Sequence, residues 1–392
     1  MYKGALAMKQ LMSMFVSYTI LMCLAFSSLA YADEGGVAAQ LLYTQTLLFS
    51  KPPIRIDSVM SMPDEAIAVI YYAEGTKRNK EEYRLDLFSA DGTLLLMKSF
   101  CQIEPGNDPS PHAQIILQSS GFLCEYYPDI TSMEVCYRTE YSYSGKVTGK
   151  EKKVKLKYGA AFYAEQTGDF MILKQAHAYD EPDASPYQNV EIIHIPTDQH
   201  VSLSLYDWSS FCPFVGSNGD LFIAQKNERG NLEIRRYDIA SDMHESIAEL
   251  GTEYFYGKRF AYVLSATCIG DLAYLQVRLT NEEASILTYD MEEGIITASS
   301  TLKAAQGSDY IASIQSSGSV LLAVDGRWNA ALQRYALTVD AIDTNMERVP
   351  VVLMHEQCLF ILQSDASGKL TTIEVDGDAS SFAVCHYKVS AP

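Results

Sequence analysis

Tryptophan is nearly absent from these 392 residues, which hold two, and positive charge is scarce. Thirty Lys and Arg stand against 49 Asp and Glu, a formal net charge of −19. So acidic a surface repels phosphate backbones, which excludes nucleic acid as a main partner. Cys-x-x-Cys pairs and zinc-type Cys/His spacings are missing. The Gly-x-Ser-x-Gly nucleophile elbow, phosphate-cradling glycine loops and His-Glu-x-x-His are missing as well. Asp376-Gly377-Asp378 lacks the spacing of a calcium loop and reads as a β-turn, so neither metal nor other cofactor is expected. No helical periodicity is sustained beyond residue 32, which leaves strands to build the fold.

What is present is a repeat. Six runs share one form: apolar strand, small polar residues, glycine, apolar strand. They centre on Gly121, Gly168, Gly219, Gly270, Gly318 and Gly368, at spacings of 47, 51, 51, 48 and 50 residues. A glycine-free copy sits at Pro63-Asp64-Glu65, 57 residues before Gly121 counted from Asp64. A period near fifty with strands on both sides of each turn predicts an all-β fold, a β-propeller of seven four-stranded blades. The expected blades are roughly 54–100, 113–157, 159–206, 210–250, 260–302, 309–353 and 357–390. The last stops after three strands, and the amphipathic run Gln40 to Phe49 is the candidate fourth, closing the ring from the other end of the chain. An open ring would expose strand edges.

Residues 1–32 read as a signal peptide: Lys3 and Lys9, an apolar stretch from Leu11 to Leu24, and Ala30-Tyr31-Ala32 before Asp33. Cleavage after Ala32 predicts a secreted or extracytoplasmic, soluble protein, and losing the two lysines takes its charge from −19 to −21. Of the eight cysteines seven remain, and Cys124 and Cys136 flank a short turn at Pro128-Asp129. That spacing makes them the candidate disulfide, which export permits. The Ser144 to Lys157 stretch carries six lysines and is expected to form the outer hairpin of the second blade, its charges guarding the edge.

Ser61-Met62-Pro63-Asp64-Glu65 and the apolar run after it resemble the S-P-D-G turn and strand of TolB-type and WD40-like propellers. Glu65 stands where those turns carry glycine, and the resemblance implies architecture only. Sialidase Asp boxes, kelch double glycines and terminal Trp-Asp pairs are not found.

In a propeller the connections from fourth to first strand and from second to third share one rim. Here they hold the aromatics and cations: His112 in the 105–112 loop, His177, Tyr179 and Tyr187, then Trp208, Tyr254, Tyr256 and Arg259, and last Arg327 and Trp328. Loops on one rigid rim are where binding residues gather, and Tyr, Trp and Arg lead at binding hot spots. The expected function is a non-catalytic, monomeric propeller that binds a protein or carbohydrate partner through this rim. The alternatives are an extracytoplasmic enzyme, a polysaccharide lyase or hydrolase, and a scaffold in a cell-envelope complex.

Overall fold

Strand follows strand with tight turns between them, and the order of pairing is that of a seven-bladed ring. The computed structural model describes residues 38–390 except 106–110, 130–134, 156–161, 176–186, 207–210, 242, 252–259, 280–283, 331–333, 344–346, 352, 354–356, 365–366 and 376–381. The expected signal peptide, residues 1–32, lies outside the described residues. Strand β1 (Ala38–Thr46) comes first and belongs to the last blade. Blade 1 is β2 (Pro53–Ser61), β3 (Ile67–Glu74), β4 (Glu81–Phe88) and β5 (Leu94–Ile103). Blade 2 is β6 (His112–Gln118), β7 (Gly121–Tyr127), β8 (Val135–Tyr141) and β9 (Lys152–Lys155). Blade 3 is β10 (Phe162–Thr167), β11 (Phe170–Gln175), β12 (Tyr187–His194) and β13 (Gln199–Tyr206). Blade 4 is β14 (Cys212–Val215), β15 (Leu221–Lys226), β16 (Leu232–Asp238) and β17 (Met243–Leu250).

Blade 5 is β18 (Phe260–Ile269), β19 (Leu272–Leu279), β20 (Ala284–Asp290) and β21 (Ile295–Thr301). Blade 6 is β22 (Tyr310–Ser317), β23 (Val320–Asn329), β24 (Arg334–Ile342) and the short β25 (Arg348–Pro350). Blade 7 is β26 (Gln357–Ser364), β27 (Lys369–Val375) and β28 (Phe382–Ser390), completed by β1. Blades 6 and 7 are joined by one bridge, Leu337 to Cys358, which makes them a single eight-stranded sheet.

Burial explains why each run forms its strand. Second strands are sandwiched between neighbouring blades, so Ile67 through Ala73 are all nearly inaccessible and apolar. Fourth strands face water on one side, and β5 alternates accordingly, Leu95 and Met97 pointing out. Six apolar clusters bridge consecutive blades all the way round. One links blades 1, 2 and 3 through Leu87, Leu117 and Met171. Others link 3 with 4, 4 with 5, 5 with 6 and 6 with 7. The last joins Val69 and Phe88 of blade 1 to Ile373 and Val384 of blade 7. The ring is closed.

Five of the six turn glycines (168, 219, 270, 318 and 368) have positive φ, the left-handed region that a side chain disfavours. Gly121 has another reason: a Cβ there would lie 2.0 Å from the carbonyl oxygen of Tyr141 on the next strand. In the glycine-free copy Asp64 and Glu65 both sit at φ 57, and Glu65 is held there from outside its own blade. Its carboxylate accepts the Tyr43 hydroxyl of β1 at 2.5 Å and pairs with Lys369 of β27.

The closing strand runs Ala38–Thr46 rather than from Gln40 to Phe49, and it pairs antiparallel with β28 from Ala38↔Ser390 to Thr46↔Ala383. The expected Cys124–Cys136 disulfide is corrected. Cys124 pairs with Thr139, three residues beyond Cys136 on β8, about 10 Å along the strand and on the opposite face. All seven described cysteines are free thiols. The lysine-rich stretch does contribute the outer β9, paired with β8.

The clasp is titratable. Tyr43 stacks on His386 of β28 with ring centroids 4.1 Å apart, and His386, 2% exposed, shares a hydrogen bond with the Thr371 hydroxyl at 3.1 Å. Burial and the Lys369 ammonium push the His386 pKa down to about 4, against an opposing pull from Glu65. Unfolded, the imidazole protonates near 6.5, so between there and about 4 the unfolded chain holds the extra proton. Stability therefore falls as pH drops through that window, by up to about 3 kcal/mol. Melting temperature measured against pH is expected to show this slope, and His386→Phe to flatten it; a variant with the parent slope would disprove the assignment. Deleting residues 38–46 uncovers β28 and is expected to give aggregates in light scattering.

Candidate functional site

Ten side chains are expected on the rim shared by the second-to-third and fourth-to-first connections. His177, Tyr179, Trp208, Tyr254, Tyr256 and Arg259 lie outside the described residues. Tyr187 opens β12, its backbone paired with Tyr206, while its side chain is outside what is described. His112, Arg327 and Trp328 are described, and all three belong to strands rather than to loops. His112 is the first residue of β6, in register with Tyr127 and stacked against it at 6.2 Å. Arg327 and Trp328 extend β23, opposite Ala336 and Tyr335 of β24. Both the 105–112 loop placement of His112 and the loop reading of Arg327-Trp328 are corrected. The ladders simply continue further than composition indicated, because aromatic cross-strand pairs stabilise the hairpin end.

The structure does not bring His112 and Trp328 together: they stand on blades 2 and 6, with blades 7 and 1 between. Around Trp328, though, it assembles a cluster that the sequence reading missed. The Trp328 ring meets Tyr335 edge to face at 5.3 Å and an interplanar angle of 73°. Tyr335 in turn meets Tyr310 at 5.0 Å and 88°. The three rings are 48%, 39% and 43% exposed, unusual for side chains of this size. They come from three adjacent strands of one blade, so the ladder sets their spacing.

Two devices hold the cluster in place. Gly326 lies opposite Tyr310, and a Cβ there would come within 2.9 Å of the Tyr310 ring, so glycine gives that ring a flat backbone to rest on. The Trp328 amide leaves the edge of its ladder to donate to Asp309 Oδ2 at 2.8 Å. Burial, with the nearby Tyr335 and Asp309, raises the Tyr310 pKa, so its hydroxyl stays a neutral donor at physiological pH. Arg327, exposed and one residue along the same strand, faces the opposite side of the blade from the rings. Flat apolar faces beside the Asp309 carboxylate can stack on a sugar ring or a proline and hydrogen-bond its polar edges. The missed signal was Gly326 itself, an isolated glycine inside an apolar strand, with Tyr310 and Tyr335 flanking it in the neighbouring runs.

Below the rings the blade is anchored by a buried acid. Asp325, fully buried, receives the Arg348 guanidinium of β25, which also reaches Asp340 Oδ2 at 2.9 Å. Desolvation raises the Asp325 pKa, and the hydrogen bond and charge of Arg348 act against that rise. Among the described residues no group of three or more His, Cys, Asp and Glu is arranged to hold a metal ion.

No protein-family model and no curated protein matches this sequence. Among solved structures, the β-propeller domain of the Trilobed protease from Pyrococcus furiosus is similar with a TM-score of 0.52 and 10% identity, over 86% of this chain and 94% of that one. That domain has an open velcro topology, whereas here β1 pairs with β28. Pyrococcus horikoshii acylaminoacyl peptidase aligns at 10% identity and a TM-score of 0.45, over 82% of this chain and 49% of that one. TolB from Acinetobacter baumannii aligns at 12% and 0.36, over 81% and 79%. The chain thus spans about half the length of the peptidase it matches. What this chain shares with the Trilobed protease domain is the β-propeller fold.

Arg348→Met removes the cation set against buried Asp325, and is expected to cost about 3 kcal/mol in urea unfolding. The double change Arg348→Met with Asp325→Leu is expected to recover most of that loss. A single variant as stable as the parent would refute the role given to this pair.

Proposed function

We propose that this chain is an extracytoplasmic, non-catalytic β-propeller that binds a protein or glycan partner through the aromatic cluster of blade 6. The exposed array of Tyr310, Trp328 and Tyr335 carries the reading. Leaving three large rings partly in water forgoes burial worth about 1 kcal/mol or more for each, a cost that a bound partner would recover. The leader-like residues 1–32 support export, and no helix among the described residues is long and apolar enough to cross a membrane. Blade 6 presents these rings from strands, so the free protein already holds the geometry that a partner would meet.

The test is a glycan array together with pull-down of partners from culture supernatant, using the full chain and its variants. Trp328→Ala and Tyr335→Ala are expected to lower the recovered partner by at least about tenfold with melting temperature nearly unchanged. Trp328 is one of only two tryptophans, so its emission should shift when the partner is added. Partners retained at parent level by both variants would overturn the assignment.

A further inference from the structure

A separate feature lies away from blade 6, among the first strands of blades 1, 2 and 3. Between the inner strands of blades 1, 2 and 3 is a cavity of about 150 Å³. Val59, Met60, Ile70 and Ile115 make it mainly apolar, and Ser58 and His112 are its polar edge. A dry cavity of about this size admits a benzene-sized group. Water needs two to four polar partners to settle in such a space. The remaining polar side chain, Gln114, is already committed: its Nε2 donates to Glu125 at 2.7 Å and its Oε1 accepts the Ala164 amide at 3.2 Å.

Next to the His112 and Ala113 wall of this cavity, outside its lining, stands one charge of each sign. The register of β2 jumps from Ile56↔Tyr71 to Ser58↔Ile70, so Asp57 is a bulge residue turned out of the ladder, with an exposed side chain. Its Oδ2 accepts the Tyr83 hydroxyl at 2.6 Å, and that hydroxyl accepts the Ala113 amide at 3.0 Å, which fixes the carboxylate beside β6. Two residues earlier Arg55 is exposed too, its guanidinium lying 4.1 Å over the Tyr72 ring. Burial lowers the pKa of His112, opposed by Asp57, so the imidazole adds no charge at neutral pH.

The geometry points to a second binding site here, for a small zwitterion with an apolar side chain: a free branched-chain or aromatic α-amino acid. The side chain fills the cavity, the ammonium meets Asp57 and the carboxylate meets Arg55. Charges of both signs beside an apolar hole match this class. A bare hydrocarbon would use the cavity and neither charge, and a simple amine would face Arg55 unpaired.

Calorimetric titration of the full chain with L-leucine and L-phenylalanine tests it, with leucine methyl ester, N-acetylleucine and toluene as controls. At least one amino acid is expected to bind, and blocking either of its charges to weaken binding by about tenfold. Asp57→Asn is expected to weaken the amino acid by a similar factor while leaving toluene unchanged. Ala164→Leu, on the cavity wall, is expected to lose both ligands. Circular dichroism checks that each variant folds, and Met60→Phe replaces Ala164→Leu should that one fail. No amino-acid binding, binding of toluene alone, or binding indifferent to both substitutions would overturn the proposal.

Discussion

The pairing of β1 with β28 is the contact on which the ring depends. Seven sheets packed face to face about an axis bury both faces of every sheet only if the last meets the first. Here one strand serves both interfaces of the closing blade. Ala39 and Leu41 pack towards blade 6, and Leu47 enters the cluster shared with blade 1. Side chains then tie β1 to blade 1 directly. Gln45 Nε2 donates to the Ser89 carbonyl at 2.6 Å and Tyr43 donates to Glu65. Gly92 lets the same turn approach, since a Cβ there would lie 2.7 Å from the Thr46 carbonyl. Two non-glycine residues in the left-handed region of one turn each cost on the order of 1 kcal/mol, and the Tyr43–Glu65–Lys369 set supplies the external hold that offsets it.

Apolar contact alone would let neighbouring blades slide, since burial is not directional. Buried polar groups give the direction. The Ala113 amide of blade 2 donates to the Tyr83 hydroxyl of blade 1, Ala164 of blade 3 to Gln114 of blade 2, and Ile314 of blade 6 to Ser265 of blade 5 at 2.8 Å. Each acceptor is itself held: Tyr83 by Asp57, Gln114 by Glu125, and Ser265 by Gln276 at 2.6 Å. A buried amide left without an acceptor costs a few kcal/mol, so a shift of one blade against the next is penalised at a specific residue.

The architecture was legible because it repeats. Turn chemistry at Gly168, Gly219, Gly270, Gly318 and Gly368, and the spare strand before Ile54, are local signals that survive without knowledge of packing. The site was legible only in part. Trp328 and Arg327 stood out by rarity and charge, but Tyr310 and Tyr335 join Trp328 through strand register, which 26 tyrosines scattered along a sequence do not reveal. The Cys124–Cys136 pairing failed for the same reason. Flanking a turn suggests proximity, whereas the side-chain period of two decides which face each thiol takes. Asp57 drew no notice, because a bulge depends on the strand alongside it.

Both candidate sites sit on strands rather than on long loops, and this has an energetic consequence. Trp328 and Tyr335 are a directly opposed pair in a ladder, and Asp57 is pinned by a tyrosine that is itself buried. Ordering a side chain on binding costs about 0.5–1.5 kcal/mol, and here folding has already met much of that cost. The rigidity also limits what can bind. A blade whose core contains Asp325 and Arg348 cannot adjust its strand spacing without breaking a buried ion pair, so the rings keep one arrangement. Selectivity at such a surface comes from fit to fixed rings, and substitutions beneath them, at Gly326 or Arg348, should alter binding as surely as those in the rings themselves.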